Sequence, residues 1–259
     1  MGDNRPVGVM DSGFGGLSVL KQCMKLLPCE SFVYYGDNAN APYGTKPQEE
    51  IERLAFAAAD FLVQKGVKAI AIACNTATSA AVEDIRKRYK LPVLSMEPAI
   101  KPAIENSTGG KILMLATPAT CALERYIKLK ARLDNHAQVI DAGCIELVET
   151  IEKGDFSPGA FDEVIRQLLC PFDGLRIDGI VLGCTHFPFV SCEILAYARA
   201  HFQGECRLYD GAQGTARQLA RVLQERILCA DGRQRVQLFT SADEKTTLPI
   251  MQMLLRRKC

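Results

Sequence analysis

The stretch IAIACNTATSA (residues 70–80) places a cysteine directly after a short apolar run and follows it with small polar residues. A second stretch, GIVLGCTHFP (residues 179–188), has the same design around Cys184. Short, fully apolar runs are typical of strands in parallel sheets that helices cover on both faces. The two stretches therefore predict that Cys74 and Cys184 each stand where a buried strand ends and a helix begins.

Comparable runs alternate with amphipathic segments along the rest of the chain. The first predicted strand covers residues 7–10 and the last covers residues 236–240, with helices such as residues 16–27, 48–65 and 121–133 between the strands. This alternation indicates parallel sheets flanked by helices. The predicted fold class is therefore α/β and doubly wound.

The order of the predicted elements repeats within the chain. Three pairs of predicted strand ends are separated by similar spacings of about 110 residues, which indicates two similar α/β units. The pairs are Asp11 with Thr117, Gly36 with Ala142, and Cys74 with Cys184. Ligands of open α/β sheets bind beyond the carboxyl ends of the strands. We therefore expect two pseudo-symmetric domains whose parallel-rich sheets face a central cleft, with both thiols directed toward it.

The charge and apolar content of the chain exclude several classes of partner. The 31 basic and 30 acidic residues give a net charge of +1 and form no basic face for nucleic acid. The apolar runs are far shorter than a membrane span, and the N-terminus has no signal-peptide pattern. We expect a cytoplasmic protein that acts on a small molecule and binds neither nucleic acid nor membrane.

The chain has eleven cysteines and three histidines, but their spacing does not support a metal site. No C-x-x-C pair is present, and the histidines at 136, 186 and 201 are scattered. Most of the cysteines are expected to be small buried hydrophobic residues. No metal is predicted.

The first strand ends in DSGFGGLSVL (residues 11–20), which is neither a dinucleotide fingerprint nor a Walker sequence. Its glycines allow a tight turn into a helix whose free amides can receive a carboxylate, with Asp11 and Ser12 at the mouth. An equally simple interpretation is that Ser12 caps the helix.

The loop APYGTKP (residues 41–47) follows the second predicted strand. Its proline and glycine shape a turn that leaves the backbone of Tyr43 and Gly44 free to bind a ligand. A plain turn is the alternative interpretation. Only the position of the loop, at the same sheet edge as the other motifs, favours a functional role.

Two matched thiols fit a symmetrical reaction. A position between strand and helix, with partial exposure, is expected to favour the thiolate relative to a free pKa of about 8.5. A Cys–His nucleophile needs only one cysteine, and a redox pair is normally close in sequence. Two thiols about 7 Å apart could remove a proton from one face of a carbon and return one to the other face.

With these motifs in place, the sequence resembles the glutamate racemase family, cofactor-independent enzymes that make D-glutamate for peptidoglycan. The matching segments cover nearly the whole chain: DSGFGGLSVL, YYGDNANAPYGTK, IACNTATSA, EPAIKPA and LGCTHFP. The resemblance implies that Cys74 and Cys184 are the catalytic acid–bases and that no pyridoxal phosphate or metal takes part. It also implies a homodimer.

The resemblance further implies roles for residues around the two thiols. Asp11 would assist Cys74, while His186, and with it Glu152, would assist Cys184. The residues implied to bind substrate are Asp11, Ser12, Tyr43, Gly44, Asn75, Thr76, Thr117, Thr120, Thr185 and His186.

The family fold implies one domain from residues 1–97 plus 210–259 and a second from residues 98–209. The chain departs from the family at CIELVE (residues 144–149), where many members have C-P-x-F-V-P. The added carboxylates Glu146 and Glu149 put the contribution of Glu152 in question. The N-terminal extension of members that a cell-wall precursor activates is absent, so that regulation is not expected.

Three alternatives stay open from the sequence. An aspartate or hydantoin racemase would share the chemistry but not the substrate. A two-lobed amino-acid carrier would keep its ligand function when Cys74 is replaced by serine. A thiol redox protein would form a reversible bond between Cys74 and Cys184.

Overall fold

A computed structural model of the chain describes residues 2–133 and 138–257. The strands of this part alternate with helices from β1 onward, as the sequence predicts. They are β1 (Val7–Asp11), β2 (Phe32–Gly36), β3 (Ala69–Ile72), β4 (Val93–Ser95), β5 (Lys111–Ala116), β6 (Val139–Gly143), β7 (Ile177–Leu182), β8 (Arg207–Asp210) and β9 (Val236–Thr240).

The α-helices of the same ranges vary in length from 5 to 17 residues. They are α1 (Leu17–Leu26), α2 (Gln48–Gln64), α3 (Asn75–Arg88), α4 (Ile100–Glu105), α5 (Pro118–Ala122), α6 (Glu124–Leu133), α7 (Glu146–Glu152), α8 (Asp162–Leu169), α9 (Ser191–His201), α10 (Ala212–Glu225) and α11 (Glu244–Arg256). Short 3-10 helices cover Asn38–Asn40, Tyr43–Thr45, Cys170–Phe172 and Phe187–Val190. Within the described ranges, no helix combines the length and the apolar character that crossing a bilayer requires.

The strands form two parallel sheets. The first sheet has the order β4-β3-β1-β2-β9, and the second has the order β6-β5-β7-β8. Every strand pair in both sheets is parallel. Apolar strands that are buried on both faces require helices on both sides, and the predicted α/β class with two facing units is confirmed.

The topology directs the functional loops to two sheet edges. In the first sheet, β1 lies between β2 and β3, so the loops that begin after Asp11, Gly36 and Ile72 are neighbours. In the second sheet, β5 lies between β6 and β7, which groups the loops after Ala116, Gly143 and Leu182. The last strand, β9, returns to the first sheet beside β2. The division into residues 1–97 plus 210–259 and 98–209 stays a prediction.

Three helical segments differ from the sequence-based prediction. The helix predicted over residues 121–133 is two helices, α5 and α6, because Leu123 between them has extended backbone angles. Helices α4 and α11 have no counterpart among the predicted helices, and each contains a proline. Pro102 occupies the first turn of α4, where the missing N–H has no consequence, whereas Pro249 lies inside α11 and removes one helical hydrogen bond.

The end of α10 contains a strained residue. Ile227 adopts a left-handed conformation with φ of 56° and is 87% exposed. Its N–H donates to the carbonyl of Gln224, and the N–H of Leu228 donates to that of Leu223, which is the pattern that normally has glycine at this position. Ile227→Gly is therefore expected to raise the free energy of unfolding by about 1 kcal/mol. Chemical denaturation measures this, and Ile227→Ala, which keeps the Cβ, should gain much less.

A buried ion pair ties the start of β3 to the loop before β2. Lys68 Nζ lies 2.6 Å from Glu30 Oε2, and the two side chains are 0% and 3% exposed. Removing only the lysine leaves an uncompensated buried charge, so Lys68→Met should destabilise the fold by about 3–5 kcal/mol. The double variant Lys68→Met/Glu30→Gln keeps an acceptor for the Ala230 N–H and should recover most of the loss. Equal stability of the single and double variants would contradict the charge argument.

Candidate active site

The carboxyl ends of the two sheets enclose a cavity of about 10 Å³. This volume has room for about one water molecule, so the site is closed. Eleven of the residues that the sequence places in the site line it. The lining residues are Ser12, Pro42, Tyr43, Gly44, Cys74, Asn75, Thr76, Thr117, Thr120, Val148, Gly183, Cys184, Thr185 and His186.

Cys74 caps the N-terminus of α3. Its Sγ accepts the N–H of Ala77 at 3.4 Å and donates to Ser12 Oγ at 3.6 Å. Burial, together with the negative charge of Asp11, nevertheless raises the pKa of the Cys74 thiol to about 12. The expectation that partial exposure would favour a thiolate here is wrong, because the side chain is only 5% exposed and burial outweighs the cap.

Cys184 belongs to a chain of three groups. Its Sγ lies 3.5 Å from His186 Nδ1, and His186 Nε2 lies 2.5 Å from Glu152 Oε1. Burial lowers the pKa of His186, but the neighbouring Cys184 sulfur and the Glu152 carboxylate outweigh it and raise the pKa well above its usual value. These contacts favour the protonated imidazole, which lies between a sulfur and a carboxylate.

Glu152, the last residue of α7, contacts the site through His186. Its Oε1 also accepts the N–H of Phe14 at 2.6 Å, and its Oε2 accepts Asn38 Nδ2 at 3.1 Å. The added carboxylates Glu146 and Glu149 are both exposed, and Glu146 bonds the N–H of Ile145 at the start of α7. The departure from the family in this segment therefore leaves the contacts of Glu152 with His186 in place.

Asp11 connects the two halves of the site. Its Oδ1 accepts the N–H of Gly13 at 2.9 Å, and its Oδ2 accepts Thr185 Oγ1 at 3.1 Å. Burial raises the pKa of Asp11, although the His186 charge and the Gly13 N–H act in the opposite direction. Asp11 influences Cys74 through its charge, while the direct hydroxyl neighbour of that thiol is Ser12.

Three threonine hydroxyls from the two halves meet at the cavity. Thr76 Oγ1 lies 3.1 Å from the hydroxyls of both Thr117 and Thr120, which are 2.9 Å apart. Beside them, both side-chain polar atoms of Asn75 are buried without a hydrogen-bond partner. An unpaired buried amide costs free energy and requires an explanation, and a polar ligand in the cavity would supply its partners.

The Asp37 carboxylate holds the loop that carries Tyr43 and Gly44. Tyr43 donates its phenol hydrogen to Asp37 Oδ2 at 2.6 Å, and Asn40 Nδ2 bonds the same carboxylate. The buried phenol therefore anchors the loop, and the residues of the turn line the cavity.

Sequence reasoning did not single out three residues that support the site. Asp37 holds Tyr43, Asn38 holds Glu152, and Ser18 Oγ donates to the carbonyl of Thr185 at 2.9 Å. All three lie inside quoted motifs, but no spacing rule separates them from their neighbours. The partners of Asn38 and Ser18 come from distant parts of the chain, whereas Asp37 bonds Tyr43 within its own loop.

No disulfide joins the cysteines of the described ranges, and Cys259 lies outside those ranges, as does His136. Across residues 2–133 and 138–257, no group of three or more His, Cys, Asp and Glu side chains is arranged to hold a metal ion.

Comparison with known proteins places this architecture in a family. The sequence profile of the Asp/Glu/hydantoin racemase family matches residues 7–219. The glutamate racemase of Clostridium botulinum (strain Okra / Type B1) is 40% identical over 260 residues, covering 99% of both chains. Crystal structures of two further glutamate racemases superimpose on nearly the whole chain. Isoform RacE1 of Bacillus anthracis has a TM-score of 0.86 at 29% identity, covering 99% of this chain and 96% of that one.

The second structure, from Francisella tularensis subsp. tularensis SCHU S4 in complex with D-glutamate, has a TM-score of 0.83 at 29% identity, with 99% and 95% of the chains covered. The profile match covers most of the chain, and the identity extends from end to end. The chain therefore belongs to the Asp/Glu/hydantoin racemase family of isomerases.

Proposed function

We propose that this protein interconverts L- and D-glutamate by proton transfer at Cα between Cys74 and Cys184. The observation that carries the proposal is that these two thiols, from the ends of β3 and β7, line one small cavity. Relatives about 40% identical over the full length are glutamate racemases, which supports glutamate as the substrate.

The proposed reaction balances without a cofactor. For one enantiomer, the Cys184 thiolate takes the proton from Cα, and the electron pair of the C–H bond stays on that carbon. Cys74 then donates its S–H proton to the opposite face. One S–H bond forms and one breaks, so the charge of the site is unchanged and the carbon is inverted. The other enantiomer reacts with the two thiols in exchanged roles.

The resting protonation state follows from the different surroundings of the two sulfurs. We propose that the proton of the Cys184–His186 pair resides on the imidazole, because Glu152 accepts from the same ring. Cys74 instead rests as a thiol, since burial and Asp11 raise its pKa to about 12. One thiolate and one thiol at rest are what a two-base exchange requires.

We propose that polar groups from both halves bind the carboxylates and the ammonium group of the substrate. They are the unpaired amide of Asn75, the three threonine hydroxyls, Ser12, Thr185 and the Tyr43–Gly44 turn. Glutamate does not fit in about 10 Å³, so the two halves must separate before substrate enters. Opening would break the bonds between them, including Thr185 to Asp11 and Phe14 to Glu152. Substrate would then replace the contacts that close the site.

Several further properties belong to the proposal. D-glutamate would supply peptidoglycan synthesis, and the protein would act as a cytoplasmic homodimer. Neither pyridoxal phosphate nor a metal is required by the proposed steps. The division into one domain of residues 1–97 plus 210–259 and a second of residues 98–209 also belongs to the proposal.

The alternatives predict different outcomes. An aspartate racemase would act on the shorter acid, and a carrier would bind glutamate without inverting it. A redox protein would need Cys74 and Cys184 to be joined in one of its states.

Polarimetry tests the proposed substrate. Enantiopure L-glutamate or D-glutamate, incubated with the protein and a chelator but no added cofactor, should lose its optical rotation completely. L-aspartate under the same conditions is expected to keep its rotation. Loss of rotation with aspartate alone would show that the substrate is wrong, and stable rotation of both acids would exclude racemisation of either.

A further inference from the structure

The position of Glu152 depends on elements of the first sheet. The carboxylate belongs to α7, which follows β6 of the second sheet, yet two of its three hydrogen-bond donors belong to the first sheet's loops. Phe14 donates a backbone N–H, which is retained when its side chain is replaced by any residue other than proline. Asn38 is therefore the side chain from that sheet that fixes Glu152 Oε2, at 3.1 Å.

The orientation of the Asn38 amide is determined by the last strand. Thr240, at the end of β9, donates its hydroxyl hydrogen to Asn38 Oδ1 at 3.0 Å. The same hydroxyl oxygen accepts the N–H of Ala242 at 3.1 Å, and a backbone N–H can only donate. The threonine hydrogen is thus free for Asn38, whose oxygen faces Thr240 and whose NH₂ group faces Glu152.

We propose that Asn38 is a positioning residue for the reaction, acting through Glu152 on His186 and Cys184, with Thr240 fixing its amide. The proposal rests on the proposed function of the Cys184–His186 pair. It makes the β9 segment, about 55 residues beyond Cys184, part of the support of the site. A carboxylate held by Asn38 keeps the imidazole protonated, and this keeps the sulfur available as a base.

Asn38 does not line the cavity. Its loss should therefore leave substrate binding nearly unchanged and act on the chemical step. In Asn38→Ala we expect kcat for glutamate to fall about tenfold while KM changes less than about twofold. Thr240→Val, which leaves the amide free to rotate, should show a smaller fall in kcat.

The direct test is the pKa of His186, followed by NMR of histidine-labelled protein without substrate. The chain has three histidines, and the His186 signal is assigned by its loss in His186→Gln. Asn38→Ala should lower the pKa of His186 by about half a unit or more relative to wild type. Asn40→Ala is the matched control, because this amide lies in the same loop but bonds Asp37, and it should leave the pKa of His186 unchanged.

The isosteric variant Asn38→Asp separates positioning from shape. Aspartate still accepts from Thr240 but cannot donate to Glu152 when ionised, so it should be at least as impaired as Asn38→Ala. Recovery of wild-type kcat in Asn38→Asp, or an unchanged His186 pKa in Asn38→Ala, would overturn the proposal. The titration of His186 needs no turnover, so it tests the role of Asn38 independently of the proposed function. Failure of the proposed function would instead appear as wild-type protein that leaves glutamate unchanged.

Discussion

Serine in place of either Cys74 or Cys184 is expected to lower kcat for glutamate racemisation about 10³-fold or more. A positioned acid–base contributes about 10² to 10⁴ in rate, and a serine hydroxyl is far too weak an acid to replace a thiol at neutral pH. Each variant keeps one working face of the carbon, but inversion requires both. Optical rotation, followed against enzyme concentration, measures the loss.

Cys144→Ser is the matched control for the two thiols. Cys144 follows β6 and its sulfur accepts the N–H of Leu147 at 3.4 Å, which is the geometry that Cys74 has with Ala77. It is also buried, but it is not among the residues that line the site. Cys144→Ser should keep near-wild-type activity. Full activity in Cys184→Ser, or an equal loss in Cys144→Ser, would contradict the assignment.

Gly15→Ala should lower kcat/KM about 100-fold or more, because it prevents the site from closing. A Cβ at this position would lie 2.2 Å from Thr185 Oγ1 and 2.5 Å from His186 Nδ1. Both atoms belong to the opposite half of the site, so relief requires the halves to stay apart. A displacement of about 1 Å at reacting groups is enough for a loss of this size.

The control for Gly15→Ala is Gly214→Ala. An added Cβ at Gly214 has no atom within 4 Å, and the residue lies inside α10. This variant should keep its activity and gain up to about 1 kcal/mol of stability from the better helix former. Thermal denaturation shows whether Gly15→Ala is folded. If folded Gly15→Ala had normal kcat/KM, the closed arrangement of Thr185 and His186 would not be the active one.

The parallel sheets and the position of the two thiols could be predicted because they depend on local pattern. Apolar runs that end at Asp11, Cys74 and Cys184 are readable in the sequence, and parallel sheets bring such ends to one edge. Position alone does not define a catalytic thiol, however, since Cys144 also follows a strand and its sulfur accepts an N–H from the first turn of a helix.

The protonation of the site could not be predicted from local sequence. The high pKa of Cys74 results from burial and from Asp11, and that burial needs residues of the other sheet across the cavity. In the same way, Glu152 is selected over Glu146 and Glu149 by contacts with Phe14 and Asn38, more than 110 residues away. Such long-range contacts leave no periodicity in the sequence.

Isotope exchange at low conversion tests the two-thiol mechanism most directly. The protein is incubated with L-glutamate in deuterium oxide, and the Cα position of each enantiomer is analysed before equilibrium. The thiol on the far face carries a deuteron from solvent, whereas the proton removed from the substrate remains on the near thiol. We predict deuterium in the D-glutamate formed and almost none in the recovered L-glutamate, with the mirror result starting from D-glutamate. Early deuterium in recovered substrate and product alike would indicate a single base and would contradict the assignment of Cys74 and Cys184.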